Sequence, residues 1–522
     1  MHESVTEFGA VGDGRTRDTG AIQAAVDACA ESGGGTAYVP PGNYLIGTIE
    51  LRSHVTLHLA AGATLHGSPD IEDYRSGDAP KSALVLAVDA ENVAVTGRGT
   101  VHGNGTAFMD MESVIDPADD PATDRFAHEA RQGEDFLDSG DGIGDGPVDP
   151  LERPDRLFMF HRCEDVLVGG ITVRESPNWT LHLLGCEEVD VRGIDMRNEV
   201  LIPNSDGINP ENCRNVHVSD CTVVTGDDAI CPKASGAYDV DPGLANLTVT
   251  NCTLVSRSSA VKFGSSTAHD MRDCTFSNLV IRDSNRGLGI QHRDGGDIEN
   301  VLFRNVLIDT RLHTGNWWGQ AEPIYVTSVP RREGQDLGTV RNVRFGNILA
   351  RGESGVLVYG SEASAIENLR FSDVRIELEN SPKAGVRGGN VDLRPTATRT
   401  PLFEHDVPGL YARHVDGLDV EGFEVAWPGD AEAYFSHGLE IEAFDRVSIS
   451  GFEGRGEDGA AIALRDGTDV SVRHSRAAPR TGTFLALSGT ADERLFVGND
   501  LADADAAIAG SEEFSKAANH FE

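Results

Sequence analysis

Lysine is almost missing from this chain. Lys81, Lys233, Lys262, Lys383 and Lys516 are the only five among 44 basic residues, against 84 acids, and the formal net charge is −40. The acids are spread along the whole length. Such a surface suits molar salt, where the Debye length shrinks to about 3 Å and carboxylates keep the protein hydrated. We favour that halophilic reading over an acidic protein that binds cations or basic partners. No basic patch occurs, which argues against nucleic acid as a partner. No apolar run near 18 residues and no charged-then-apolar leader occur, so no membrane partner is expected. A cytoplasmic protein follows, or a secreted one if a leader was removed. Eight cysteines are present, but no Cys-x-x-Cys and no zinc-type Cys/His spacing. Buried free thiols are expected, with neither metal nor cofactor. No Pro/Ser linker or low-complexity tract interrupts the chain, so residues 1–522 read as one domain.

Helical patterns long enough for βαβ crossovers are also absent. What recurs instead is a short strand of the form Asn/Asp-φ-x-φ, with φ apolar. Its first apolar positions are Val166, Val189, Val216, Leu247, Cys274, Val301, Val343, Leu369, Leu418, Val447, Val470 and Leu495. The spacing stays mostly in the twenties, with a few longer insertions, which is too short for propeller blades. β-Branched alternation punctuated by Gly, Asn, Asp and Ser completes the pattern. It predicts an all-β, right-handed parallel β-helix whose turns stack over a continuous core. Near the start, Ile22, Val26 and Cys29 fall on one face of a helix behind Asp18, a candidate N-cap. That helix is expected to cover the exposed end of the solenoid, within a capping module over residues 1–68. Residues 109–156 are rich in Asp, Glu, Gly and Pro and read as an acidic surface insertion, either a lid or a solvated loop.

Residues 202–233 hold Asp206, Asp227 and Asp228, each in a loop after a strand-like run. Acids are so common here that a bare Asp-Asp pair says little; Asp119-Asp120 is another. Register says more. Asn178 lies 12 residues after Val166, Asp228 lies 12 after Val216, Ser258 lies 11 after Leu247, and Arg286 lies 12 after Cys274. Asp206 lies 17 after Val189, with residues 198–205 as an outward loop. Equal offsets on stacked turns place these side chains in a column facing one groove. Loop-borne acids of this kind meet the needs of glycosidic cleavage: one donates a proton to the leaving oxygen, and another activates water. Lys233 and Lys262 fall in the same segment, notable in so lysine-poor a chain.

These residues resemble glycoside hydrolase family 28, the polygalacturonases of the pectin-lyase-like β-helix superfamily. Phe8-Gly-Ala-Val-Gly-Asp-Gly14, Gly33-Gly-Gly-Thr36 and Val39-Pro-Pro-Gly-Asn-Tyr44 resemble the N-terminal module. Glu175-Ser-Pro-Asn-Trp-Thr-Leu-His182, Asn204-Ser-Asp206 and Gly226-Asp-Asp228 resemble the catalytic segments. The likeness is strong over residues 3–310 and weak beyond. It implies Asp227 as general acid, Asp206 and Asp228 as the pair that activates water, inversion at the anomeric carbon, and Lys233 holding the carboxylates. Asn204 and Asn178 join the expected substrate contacts. Two departures stand out. Ser258 occupies the place of the family's Gly-His-Gly histidine. Gly289 and Gln291 replace its Arg-x-Lys, which grips a sugar carboxylate. Lys262, Arg286, His292 or Arg293 is then expected to supply another clamp, with Gln291 beside it. That loss favours a rhamnogalacturonan-type or capped oligomer over plain homogalacturonan.

Trp317, Trp318 and Glu322 sit in a long repeat, where aromatic faces suit sugar C–H surfaces and the acid suits hydroxyls. This long loop and the insertion favour exo action on an oligosaccharide. Two other readings share the fold. One is a polysaccharide lyase or uronate epimerase holding Ca²⁺ at the Asp cluster; the other is a non-catalytic carbohydrate-binding β-helix.

Overall fold

The structure, a computed structural model, describes residues 1–113, 147–313, 317–489, 494–510 and 515–517. The described chain divides into two compact units. The first holds residues 1–113, 147–258 and Trp317; the second holds 259–313 and the described residues from 318 onward. Each winds as a right-handed parallel β-helix.

In the first unit every full turn contributes to three parallel sheets. The first sheet contains Ala83–Val88, Arg156–His161, Trp179–Leu184 and Ile208–Glu211. The second contains Glu91–Gly97, Glu164–Gly169, Glu187–Arg192, Arg214–Ser219 and Leu244–Thr250. The third contains Thr100–His102, Thr172–Arg174, Asp195–Arg197, Thr222–Thr225 and Thr253–Ser256. Alternate residues point inward, so Val166, Val189, Val216 and Leu247 stack one above another, buried.

The Asn/Asp of each repeat has a backbone cause. Asp165, Glu188, Asn215 and Asn246 take φ between 52° and 59°, just before the stacked apolar residue. That left-handed conformation is tolerated best by Asn and Asp among residues with a side chain. The side chains then bond along the stack: Asn246 Nδ2 donates to Asn215 Oδ1 (2.8 Å), and Asn215 Nδ2 to Glu188 Oε1 (2.6 Å).

The second unit repeats the device. Asn300, Asn342 and Asn368 donate in turn to Asp273, Asn300 and Asn342. Asn305 and Asn347 form a second ladder above Asn278. Between them runs a column of stacked rings, Phe276, Phe303, Phe345 and Phe371, with centroids 5.0–5.2 Å apart. The predicted register holds in this unit from Cys274 to Val470. It slips at the last position: Val470 pairs with Arg494, and Leu495 sits opposite Ser471, 37% exposed. Phe496 turns inward in its place.

The helix expected near the start spans Thr19–Glu31 and buries Ile22, Val26 and Cys29 against the first strands. Asp18 occupies the N-cap position without capping. Its carboxylate instead accepts the Val11 and Gly12 amides at 2.7 and 3.0 Å, closing the preceding glycine loop. All eight cysteines are free and buried. Of the acidic insertion, the described residues form a short antiparallel ribbon, Met109–Asp110 with Asp149–Pro150. The lid expectation falls on residues outside those described. Among the described residues no helix is long and apolar enough to cross a membrane.

Candidate active site

In the first unit, the turns that lead from the third sheet back to the first carry the polar column. Asn178 precedes Trp179–Leu184, Asp206 precedes Ile208–Glu211, and Asp227 and Asp228 precede the bridge from Ile230 to Ile208. The Gly before Asp227 is required by packing: a Cβ on Gly226 would lie 2.5 Å from the Ile202 carbonyl oxygen. The Asp227 carbonyl accepts from Thr225 Oγ1 (2.5 Å) and Ser256 Oγ (2.7 Å), and Ser205 Oγ accepts the Gly226 amide (3.0 Å). Small hydroxyl side chains thus fix the loop that carries Asp227 and Asp228.

Asp206, Asp228 and Lys233 form one buried network. Asp206 Oδ2 accepts from Asn209 Nδ2 at 2.7 Å and lies 3.4 Å from Lys233 Nζ. Lys233 Nζ also lies 2.7 Å from Cys231 Sγ, whose thiol donates to Asp228 Oδ2 at 3.4 Å. Ser258 Oγ donates to Asp228 Oδ1 at 3.1 Å. Burial works against the Lys233 ammonium, but the neighbouring Cys231, Asp206 and Asp228 outweigh it and raise its pKa above the ordinary lysine value. Asp227 is the most exposed of the three acids, 8% against 2% for the others. Its Oδ1 accepts the Asp228 amide at 2.9 Å, and Asn204 Nδ2 reaches its Oδ2 at 3.5 Å. Arg153 holds Asn204 in turn, through Asn204 Oδ1 and the Pro203 carbonyl.

Sequence reasoning missed the floor of this network. Trp179 lies beneath two cations, Arg156 (4.0 Å) and Lys233 (4.4 Å). Asn178 Oδ1 accepts the Trp179 amide. Arg156 Nε donates to His182 Nδ1 at 2.9 Å, which places the imidazole proton on Nε2, 2.9 Å from Glu211 Oε2. Burial, then the Arg156 charge, depress the His182 pKa to about 4, so the ring is neutral. His182 and Glu211 take outward positions of the first sheet, with Met159, His182 and Asn209 in one row. Their signal was strand parity: the apolar residues on either side are the ones that face the core.

Asp206, Asp228 and Cys231 bring ligand atoms within 4.8 Å of one another. The set does not fit Ca²⁺, which takes six to eight oxygens. It offers a thiol, and the Lys233 ammonium already supplies the positive charge there.

The second unit holds the remaining candidates except Trp317. Lys262 Nζ stands 4.8 Å over the Trp318 ring. Arg286 stacks on Tyr325, 3.4 Å from the ring centre, with its Nε 3.4 Å from Glu322 Oε2. His292, Arg293 and Gln291 do not reach outward as expected. All three are fully buried. His292 bonds Ser328 and the Gly296 carbonyl, and burial lowers its pKa to about 4. Arg293 spends its guanidinium on Thr327, Tyr325 and the carbonyls of His292, Leu393, Arg394 and Pro395. Gln291 donates to the Arg394 carbonyl. Trp317 is 1% exposed and offers no ring face, whereas Trp318 is half-buried.

Comparison with known proteins gives the family and the fold that this chain resembles. Residues 140–391 match the model of glycosyl hydrolases family 28, and residues 3–73 match that of rhamnogalacturonase A/epimerase, pectate lyase-like. A probable polygalacturonase of Vitis vinifera is 28% identical over 76% of this chain and 80% of its own length. An exo-poly-alpha-D-galacturonosidase of Dickeya chrysanthemi is 27% identical over 58% of this chain, which spans 54% of that protein. The fold is shared with an exopolygalacturonase from Thermotoga maritima (TM-score 0.59, 24% identity, 82% of this chain and 92% of the other). It is shared too with a family 28 exopolygalacturonase of Yersinia enterocolitica (TM-score 0.62, 20% identity, 86% and 78%). The segment that matches glycosyl hydrolases family 28, residues 140–391, is the one that holds all three aspartates.

Proposed function

We propose that this glycosidase hydrolyses α-linked, galacturonate-containing pectin oligosaccharides from one chain end, by single displacement with inversion. One observation carries the scheme: the three aspartates fall into two environments. Asp206 and Asp228 share a buried counter-charge in Lys233 and stand close enough to hold one water between them. Asp227 is turned further toward solvent, where a leaving oxygen can approach it. In the scheme Asp227 carries the proton to the leaving group, while Asp206 and Asp228 take the proton of the attacking water. Asn204 steers the Asp227 carboxyl, and Ser258, in the place of the family's histidine, steers Asp228. Lys233 outweighs a Ca²⁺ reading because its ammonium cannot share that position with a dication.

Exo action rests on the name of the Dickeya relative, and galacturonan on both curated relatives. The test is product size early in the digestion of polygalacturonate and of rhamnogalacturonan oligomers. Release of a single small product from the start supports exo hydrolysis. A ladder of intermediate lengths contradicts the exo assignment. Turnover of the rhamnogalacturonan oligomers alone contradicts the galacturonan assignment.

A further inference from the structure

We propose that an outer face of the second unit joins two copies of this chain, with Leu307 and Leu349 of one copy against Leu349 and Leu307 of the other.

Four long strands, Met271–Ser284, Ile298–Thr310, Val340–Gly352 and Ile366–Leu378, pair side by side in this unit. Near their start one outward row reads Arg272, Glu299, Arg341 and Glu367, and Arg341 Nε bonds Glu299 at 2.8 Å. Nearer their end the outward row changes character. Val280, Leu307 and Leu349 stand in register on successive turns, 39%, 51% and 53% exposed. They line an open groove of about 470 Å³, rimmed by Arg282, Arg351 and Arg375. A lone exposed leucine is ordinary, but a contiguous aliphatic row with a charged rim marks an interaction surface. It stands out further on a chain of net charge −40.

The rim identifies the occupant. The next outward row, two residues on, reads Arg282, Asp309, Arg351 and Glu377, with a bulge between the first two. Its signs alternate. Two copies of this face can meet about a two-fold axis that runs along the strands, between the turns of Leu307 and Leu349. That axis reverses the order of the turns. Arg282 then faces Glu377 of the second copy, and Asp309 faces its Arg351, so each contact joins opposite charges. In the apolar row Leu307 meets Leu349 of the second copy, and Val280 meets the stem of its Arg375. An axis along the stack would instead set each charge against itself, at a cost.

The charges are placed for this. Arg282 and Glu377 are exposed at the two ends of the row. Arg351 reaches Asp309 and Glu379 of its own chain at 3.8 and 3.5 Å, long for ion pairs. Asp309 accepts from Arg311 at 3.1 Å, and a carboxylate has room for a further donor. Net charge sets the condition. Two bodies of −40 repel each other in dilute buffer. Molar salt screens that repulsion beyond about 3 Å and spares pairs in direct contact. Association is therefore expected in multimolar KCl.

The test is the solution mass of the full chain, by light scattering across a concentration series in multimolar KCl. A mass that moves from one chain to two is expected. Leu307→Lys, or Leu349→Lys, should leave a single chain with its fold intact by circular dichroism, since both positions are exposed. Arg351→Glu should weaken dimerisation about 10-fold or more, because it sets like charges opposite each other twice per dimer. Adding Asp309→Arg to Arg351→Glu should restore the dimer, since the swap again pairs opposite signs across the axis. A wild-type chain that stays single at every concentration overturns the proposal. So does a dimer that Leu307→Lys and Leu349→Lys leave unchanged, or a swap variant no better than Arg351→Glu alone.

Discussion

Three aspartates in one short segment do different work because their neighbours differ. Asp227→Asn is expected to lower kcat about 10²- to 10⁴-fold, the usual contribution of a positioned general acid, with folding intact by circular dichroism. Near-normal activity would remove Asp227 from its role. Lys233→Met should act on stability as well, because it strands Asp206 and Asp228 in a buried site without their counter-charge. About 3–5 kcal/mol of loss is expected, read by urea denaturation. His182 and His292 add a pH signature. Each has a folded pKa of about 4 against an ordinary value of 6.5. Between those values the unfolded chain binds protons that the folded chain refuses. Their contribution is therefore complete above pH 6.5 and is lost as pH falls toward 4, by up to about 3 kcal/mol each. Urea midpoints at pH 7.5, 5.5 and 4.5 check this, and His182→Gln should flatten the slope. The aspartates were legible in the sequence through their spacing from stacked strands. Arg156, Glu211 and Cys231 were not, because each reads as an ordinary strand or loop residue until its neighbours in adjacent turns are known. The reverse error befell His292 and Arg293. Both lie in the segment that suggested a clamp, yet Arg293 is consumed largely by backbone carbonyls about a hundred positions away, and His292 by Ser328 and the Gly296 carbonyl.

At the scale of the strand and its turn, the repeat was readable because one physical requirement recurs in every turn. The chain must take a left-handed residue before it re-enters the second sheet, and Asn or Asp meets that need while bonding to its counterpart above and below. Asn305 sits mid-ladder with φ of 57°. Asn305→Ala should cost about 1–2 kcal/mol through lost amide bonds and backbone strain, and Asn305→Gly less, by thermal unfolding. Phe303, stacked between Phe276 and Phe345, should cost about 3–5 kcal/mol on truncation to Ala. The slip at Leu495 shows where pattern reading fails. Near the chain end Arg494-Leu-Phe-Val497 offers three apolar residues in a row, and parity is then fixed by the pairing of the preceding strand, not by hydropathy. Asp18 likewise had the residue type of an N-cap, but a glycine loop with unpaired amides competes for the same carboxylate.

For the molecule as a whole, a net charge of −40 with five lysines sets the solvent it suits. We propose that it works in molar salt. Its melting temperature should then rise steeply between 0.1 and 3 M KCl, as screening removes self-repulsion among surface carboxylates. A flat response would count against that setting. Inverting hydrolysis by the aspartate cluster is tested most directly by proton NMR during digestion of galacturonan oligomers in multimolar salt with chelator present. A first-formed reducing end of β configuration, released without added metal and lost in Asp227→Asn, is the expected result. Retained α configuration, vinyl protons of an unsaturated sugar, or turnover only after Ca²⁺ is restored would contradict it.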